Sequence, residues 1–191
     1  MDGLVVVGQS VLKTAVWMGL FLVALWVIYI IDSVVLKGKL KQRFGLIPRS
    51  NFSVLRILFS PFLHVNRQHL IANSIPFFLL GSLVMVQGQT TFWLSTLIII
   101  IVAGLGIYFL GKKGTLHVGA SGLILGYFGY LLANVFFNPD IITIAIAALV
   151  AILYLGLITQ IVPLKKGVST TGHLFGFIGG VLAAWITALL V

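Results

Sequence analysis

Residues 118–137 read VGASGLILGYFGYLLANVFF, with one serine, one asparagine and four glycines in a run of otherwise apolar residues. An uncharged stretch of this length suits one helical crossing of a bilayer, which takes about 20 residues. The serine sits near one end, in Gly119-Ala120-Ser121-Gly122. At the head of a helix the first amides are unpaired and carry the positive end of the helix dipole, so they can hold an oxyanion beside that serine. Gly122, Gly126 and Gly129 let the helix pack tightly on a neighbour, and alone the motif is equally that of a packing face. It is not the Gly-x-Ser-x-Gly elbow of soluble hydrolases, because glycine follows the serine directly.

The rest of the chain agrees with a membrane setting. Of 191 residues, 60% are hydrophobic and 8% charged, and the mean hydropathy is +1.20. A soluble domain carries roughly a quarter of its residues as charges. Twelve Lys and Arg face three acids, Asp2, Asp32 and Asp140, so chemistry that needs paired carboxylates or an acidic metal cage has little to build with. The absence of cysteine removes thiol nucleophiles, disulfides and zinc-thiolate sites. The net charge of +9 is carried between apolar spans with no soluble module, which points to anionic lipid headgroups and not to nucleic acid.

Turn-forming stretches at residues 87–89, 111–114, 138–140 and 163–167 divide the chain, and six spans are expected at about 12–36, 69–87, 91–110, 118–137, 141–162 and 171–191. In hydrocarbon these must be helices, so the fold class is an all-α, polytopic six-helix bundle forming one domain over 1–191. The first run lacks the basic start and the cleavage site of a signal peptide and is expected to be retained. Residues 37–67 interleave cations with large apolar groups, as in an element lying in the headgroup layer.

Six crossings put the starts of spans 2, 4 and 6 on one side of the membrane. His64, His69 and Asn73, Ser121, and His173 therefore meet at one depth, as groups that share a site do. His173 is followed by Gly176 and Gly180 on the same helix face, which lets span 6 approach span 4 until the imidazole is within reach of a serine. His69 and Asn73, four apart, aim at a common point and suit either oxyanion donors or polar contacts between helices. His64 is expected to order the start of span 2, and with His69 at five residues' spacing it makes a poor metal site. A triad would need an acid at the histidine. Asp140 lies on the opposite side, Asp2 is in the tail, and nothing brings Asp32 to span 6. The expectation is a dyad, with Ser121 as nucleophile and His173 as general base and then acid.

Taken together these residues resemble the rhomboid intramembrane serine proteases. The resemblance runs from about residue 15 to the end. It rests on His64-x4-His69-x3-Asn73, on Gly119-x-Ser121-Gly122 and on His173-x2-Gly176-x3-Gly180, each on the proper helix. It implies peptide-bond hydrolysis in or near a substrate's transmembrane helix, with the oxyanion held by the Ser121 amide, His69 and Asn73. No metal or organic cofactor is implied, and the partners are substrate transmembrane helices and the lipid bilayer. No signal for an oligomeric state is evident. It also implies a plasma-membrane protein with cytoplasmic termini, an outward-opening site, a first loop in the outer leaflet, and movement of loop 5 and the adjoining end of span 5 to admit substrate.

Two positions depart from the family pattern. Leu55-Arg56 stands where Trp-Arg is common, keeping the cation, and Leu125 stands where an aromatic ring often stacks on the catalytic imidazole. Eleven of the twelve cations fall in loops 1, 3 and 5, which by the positive-inside rule would reverse the orientation. A first loop embedded among lipid phosphates reconciles the count with the family orientation. The alternative function is an impaired relative that binds transmembrane helices without cleaving them. A transporter would spread ionisable groups along a path, and spans 3 and 5 hold none.

Overall fold

The computed structural model describes residues 2–160 and 170–191. The turn at 163–167 and the end of span 5 at 161–162 lie outside the described residues. Among the described residues there are eight α-helices: α1 Asp2–Ile30, α2 Lys39–Phe44, α3 Val54–Phe59, α4 Arg67–Val86, α5 Gln89–Leu110, α6 Ser121–Ala133, α7 Ile141–Tyr154 and α8 Thr170–Leu190. Among the described residues, five helical stretches are long and apolar enough to cross a bilayer, Gly8–Val35, Arg67–Val86, Gln89–Leu110, Ile141–Gln160 and Thr170–Leu190. The sixth, Ser121–Phe136, is shorter. The architecture is thus the expected all-α polytopic bundle, with α2 and α3 inside the 37–67 loop.

The short helix is the centre of the bundle, and span 4 begins at Ser121 where 118 was expected. At 1.5 Å per residue its 16 residues reach about 24 Å against a hydrocarbon core of about 30 Å. Its far end is tied to polar groups: Asn134 Nδ2 donates to Gln87 Oε1 at 2.8 Å, and Asn138 Nδ2 to Asn134 Oδ1 at 2.9 Å. The missing length therefore falls at the Ser121 end, which is reached by a loop. Every residue from Leu123 to Leu131 is buried. A helix apolar on all sides is stable only when other helices surround it.

Glycines set the approach of α8 to α6. A Cβ at Gly176 would overlap the Gly122 carbonyl, and one at Gly180 the Gly126 carbonyl, so the two backbones touch. Elsewhere Gly126 packs on Ile99 of α5, and Gly81 of α4 packs on Met18 of α1. Tyr127 and Thr96 share a buried hydrogen bond of 2.8 Å between α6 and α5. By contrast α7 buries only Ala147 and Val150.

The first loop braces the serine loop. After α1 the chain passes through a π turn, Ile31–Val35, and reverses at Gly38, whose φ of +83° suits glycine. The buried Asp32 carboxylate accepts the Leu40 N–H at 2.8 Å in the first turn of α2. Leu46 and His117 exchange two backbone hydrogen bonds of 3.0 and 2.8 Å, and the Gly119 N–H donates to the Ser60 carbonyl at 3.0 Å. Arg49 donates from its backbone to the Tyr108 carbonyl and from its guanidinium to the Gly111 carbonyl, closing the end of α5. Arg56 Nε donates to the Arg43 carbonyl, which makes this cation a tie between α3 and α2.

Candidate active site

Ser121 is the first residue of α6, and the residue before it, Ala120, has no side chain with which to cap the helix. The first amide tied back into the helix is Ile124 N–H, bonded to the Ala120 carbonyl at 2.9 Å. The amides ahead of it, including that of Ser121, are thus open to an anion. Gly119 has φ +120° and lies against the His69 ring, where a Cβ would overlap the imidazole. This is the one glycine of the motif for which both conformation and space exclude a side chain. Gly122 and Gly172 meet on the other face of Ser121, with a Cβ at Gly122 falling 3.3 Å from the Gly172 carbonyl. Ser121 and His173 are the immediate neighbours of that contact.

His69, Asn73, Ser121 and His173 all line one cavity of about 450 Å³. Leu125 contributes to its wall, and Leu157 and Gln160 close it from the extension of α7. A second space of about 50 Å³, enough for one or two waters, lies between Ser121, His173 and the α5 residues Ala103 and Gly104. His64 stands behind the wall, fully buried, with its Nε2 3.2 Å from Asn73 Nδ2 and its ring 5.3 Å from that of His69. An amide nitrogen can only donate, so His64 Nε2 accepts and the proton resides on Nδ1, near the Phe62 carbonyl but outside hydrogen-bond geometry. Burial, then the adjacent His69, push the His64 imidazole down to about 4, with the Phe62 carbonyl opposing. His64 is therefore neutral at pH 7, and it holds the Asn73 amide.

Start-of-helix chemistry explains the placement of the α4 pair. Asn66 caps α4, its Oδ1 accepting the His69 N–H at 2.9 Å, and this sets where His69 and Asn73 fall on the helix. His173 is buried near the start of α8, and its Nδ1 lies 3.1 Å from the Gln160 carbonyl. Among the described residues Ser121 and His173 form no hydrogen bond with each other; unliganded sites are often loose in this way. The other acids are engaged elsewhere: Asp140 caps α7 through Ile142, Thr143 and the Thr143 hydroxyl, and Asp32 is on α2.

Reasoning from the sequence missed two site residues. His117 lines both cavities and bonds Thr115 Oγ1 through Nε2 at 2.7 Å; its position four residues before the serine was the available signal. Gln160 carried no signal, because its contribution is a backbone carbonyl.

The chain matches the family model of the Rhomboid domain over residues 51–189. An uncharacterised protein of Mycobacterium tuberculosis is 36% identical over 174 residues, which cover 87% of this chain and 72% of the relative. YdcA of Bacillus subtilis, which bears the name of a rhomboid protease as a proposed assignment, is 30% identical over 132 residues, 69% of this chain and 66% of the relative. A protein of Acanthamoeba polyphaga mimivirus, named as a proposed rhomboid protein, is 32% identical over 138 residues, covering 69% and 74%. A six-helix membrane bundle with this set of histidine, asparagine, serine and glycine positions, matched over most of its length, belongs to the rhomboid family.

Proposed function

We propose that the chain is an intramembrane serine endopeptidase that cleaves transmembrane segments of membrane proteins with a Ser121–His173 dyad. The rhomboid family is one of intramembrane serine proteases, and the observation that supports the same activity here is the meeting of His69, Asn73, Ser121 and His173 on one cavity. Ser121 Oγ attacks the substrate carbonyl carbon while His173 Nε2 takes the hydroxyl proton. The resulting oxyanion accepts from the Ser121 amide, His69 and Asn73. Collapse breaks the C–N bond, His173 returns the proton to the leaving amine, and water then hydrolyses the acyl-enzyme by the same base. His64, Arg56 and the glycines 119, 122, 176 and 180 support this machinery, and no metal or organic cofactor takes part.

The test is labelling of the purified protein with a fluorophosphonate probe in detergent. The starting protein is expected to label, and Ser121→Ala and His173→Ala not. An unlabelled but folded starting protein, or a labelled Ser121→Ala, overturns the dyad. Leu125, which stands where the family often stacks an aromatic ring on the catalytic imidazole, supports a second reading, in which the fold binds transmembrane helices without cutting them. A transmembrane substrate that is retained but never cleaved is the result that would select it.

In the proposed orientation, at the plasma membrane, the termini are cytoplasmic and the cavity opens outward, with substrate transmembrane helices and bilayer lipids as partners. An impermeant thiol reagent applied to intact cells is expected to label Lys113→Cys and spare Gln89→Cys, and the opposite pattern reverses the assignment.

A further inference from the structure

The dyad leaves one question open, namely what orients the imidazole. A triad uses a carboxylate to hold the distal ring nitrogen, fix the tautomer and stabilise the imidazolium as it forms. Here Asp32 and Asp140 are spent on helix starts, Asp2 lies in the first turn of α1, and the residue four after the serine is the aliphatic Leu125. The group that does face His173 Nδ1 is the Gln160 carbonyl, at 3.1 Å. A carbonyl oxygen has no proton to give, so Nδ1 must carry one, and the lone pair of neutral His173 is on Nε2. That is the tautomer a general base for Ser121 requires.

We infer that the Gln160 backbone carbonyl is the positioning group for His173, standing where a triad would place its acid and tying the base to the extension of α7. The inference rests on the proposed protease reading. Gln160 belongs to the 3-10 turn Leu155–Gln160 that prolongs α7. Its carbonyl oxygen faces Nδ1 of His173, and the negative end of that carbonyl dipole stabilises an imidazolium formed there. The anchoring is weak by comparison with the rest of the bundle. α7 buries two side chains, Ala147 and Val150, and the Leu155–Gln160 turn buries none, whereas α6 and α8 are locked by touching backbones. Leu157 and Gln160 also form one wall of the cavity. Displacement of this wall, the movement that the family resemblance implies for substrate entry, would withdraw the carbonyl from Nδ1 and free the ring to turn. Return of the wall restores the tautomer, so the base is armed when the wall has closed.

Two measurements test the inference. The first is nitrogen NMR of the protein with 15N-labelled imidazoles, His173 being identified by its loss in His173→Ala. A neutral His173 with the proton on Nδ1 is expected, and a proton on Nε2 overturns the inference whether or not the protein cleaves anything. The second replaces the amide linking residues 160 and 161 by an ester, which weakens the Gln160 carbonyl as an acceptor and leaves every side chain in place. Loss of about 1 kcal/mol of hydrogen bond corresponds to roughly a 5-fold fall in kcat, with KM for a transmembrane substrate unchanged and the acid limb of the pH–kcat profile displaced. An unchanged kcat and profile in the folded ester protein rules out a positioning role. Should the ester protein not fold, the tautomer of the unmodified chain still decides. Failure of the protease reading would show separately, as absence of fluorophosphonate labelling at Ser121.

Discussion

At the scale of single residues, two side chains of the site have identifiable holders, His64 for Asn73 and the Gln160 carbonyl for His173. Asn73 is held by the buried His64, whose ring is neutral. Loss of an oxyanion donor commonly lowers kcat on the order of 100-fold. Asn73→Ala is therefore expected to reduce kcat for a transmembrane substrate by that factor with little change in KM, measured by steady-state cleavage in detergent. His64 has a second, pH-dependent effect. In the unfolded chain it takes up a proton near 6.5, while in the folded protein it does so only near 4. Stability is then constant above pH 6.5, declines by about 3 kcal/mol as the pH falls toward 4, and levels off below it. Thermal melting in detergent between pH 4 and 7 should show this decline, and His64→Gln should flatten it. His69 and Asn73 were legible in the sequence because their spacing on one helix is local. Their partners were not, because His64 precedes the helix and its ring direction depends on the turn through Phe62 and Leu63.

At the scale of elements, packing by glycine separates positions that look alike in the sequence. Gly19 and Gly180 both lie in apolar helices, but a Cβ at Gly19 meets nothing within 4 Å while one at Gly180 overlaps the Gly126 carbonyl. Gly19→Ala is expected to raise stability by up to about 1 kcal/mol through helix propensity. Gly180→Ala is expected to lower it by about 1–3 kcal/mol or more, since α8 must move away from α6. Melting temperatures of the two variants in one detergent compare them directly, and equal shifts would mean that the close α6–α8 contact does not bear on stability. The same contact places His173 beside Ser121, so Gly180→Ala should also lose cleavage activity. The glycine spacing announced that α8 has a close-packing face. Its partner, and the start of α6 at Ser121, followed only from the way five longer helices enclose a shorter one.

At the scale of the whole molecule, the unbalanced charge has an arrangement. Of the twelve cations, seven lie between residues 37 and 67 and two at 112 and 113, on the rim that carries the site. Among the described residues none makes an ion pair; Lys41, Arg49 and Arg56 donate instead to backbone carbonyls. Beside them Phe52, Val54, Leu55 and Phe59 are exposed, as on a surface lying against acyl chains. Each cation near an anionic membrane surface contributes about 1 kcal/mol, and salt screens the effect. The protein is accordingly expected to melt at higher temperature in vesicles containing phosphatidylglycerol than in neutral ones, with the gain shrinking between low and high ionic strength. A gain that is the same at both would assign it to something other than charge.

The sequence by itself determined the membrane class, the crossings, the common side on which the polar residues gather and the scarcity of acids from which a triad could be built. All of these follow from the length of apolar runs, the parity of crossings and the count of acids, which need no contact between distant residues. Only the tertiary structure decided that Asp32 and Asp140 are consumed by helix starts, that loop 1 braces the serine loop through Leu46 and Ser60, and that a carbonyl at Gln160 faces His173. The physical reason is that every residue carries a backbone carbonyl, so residue type does not say which one will face a side chain from another helix.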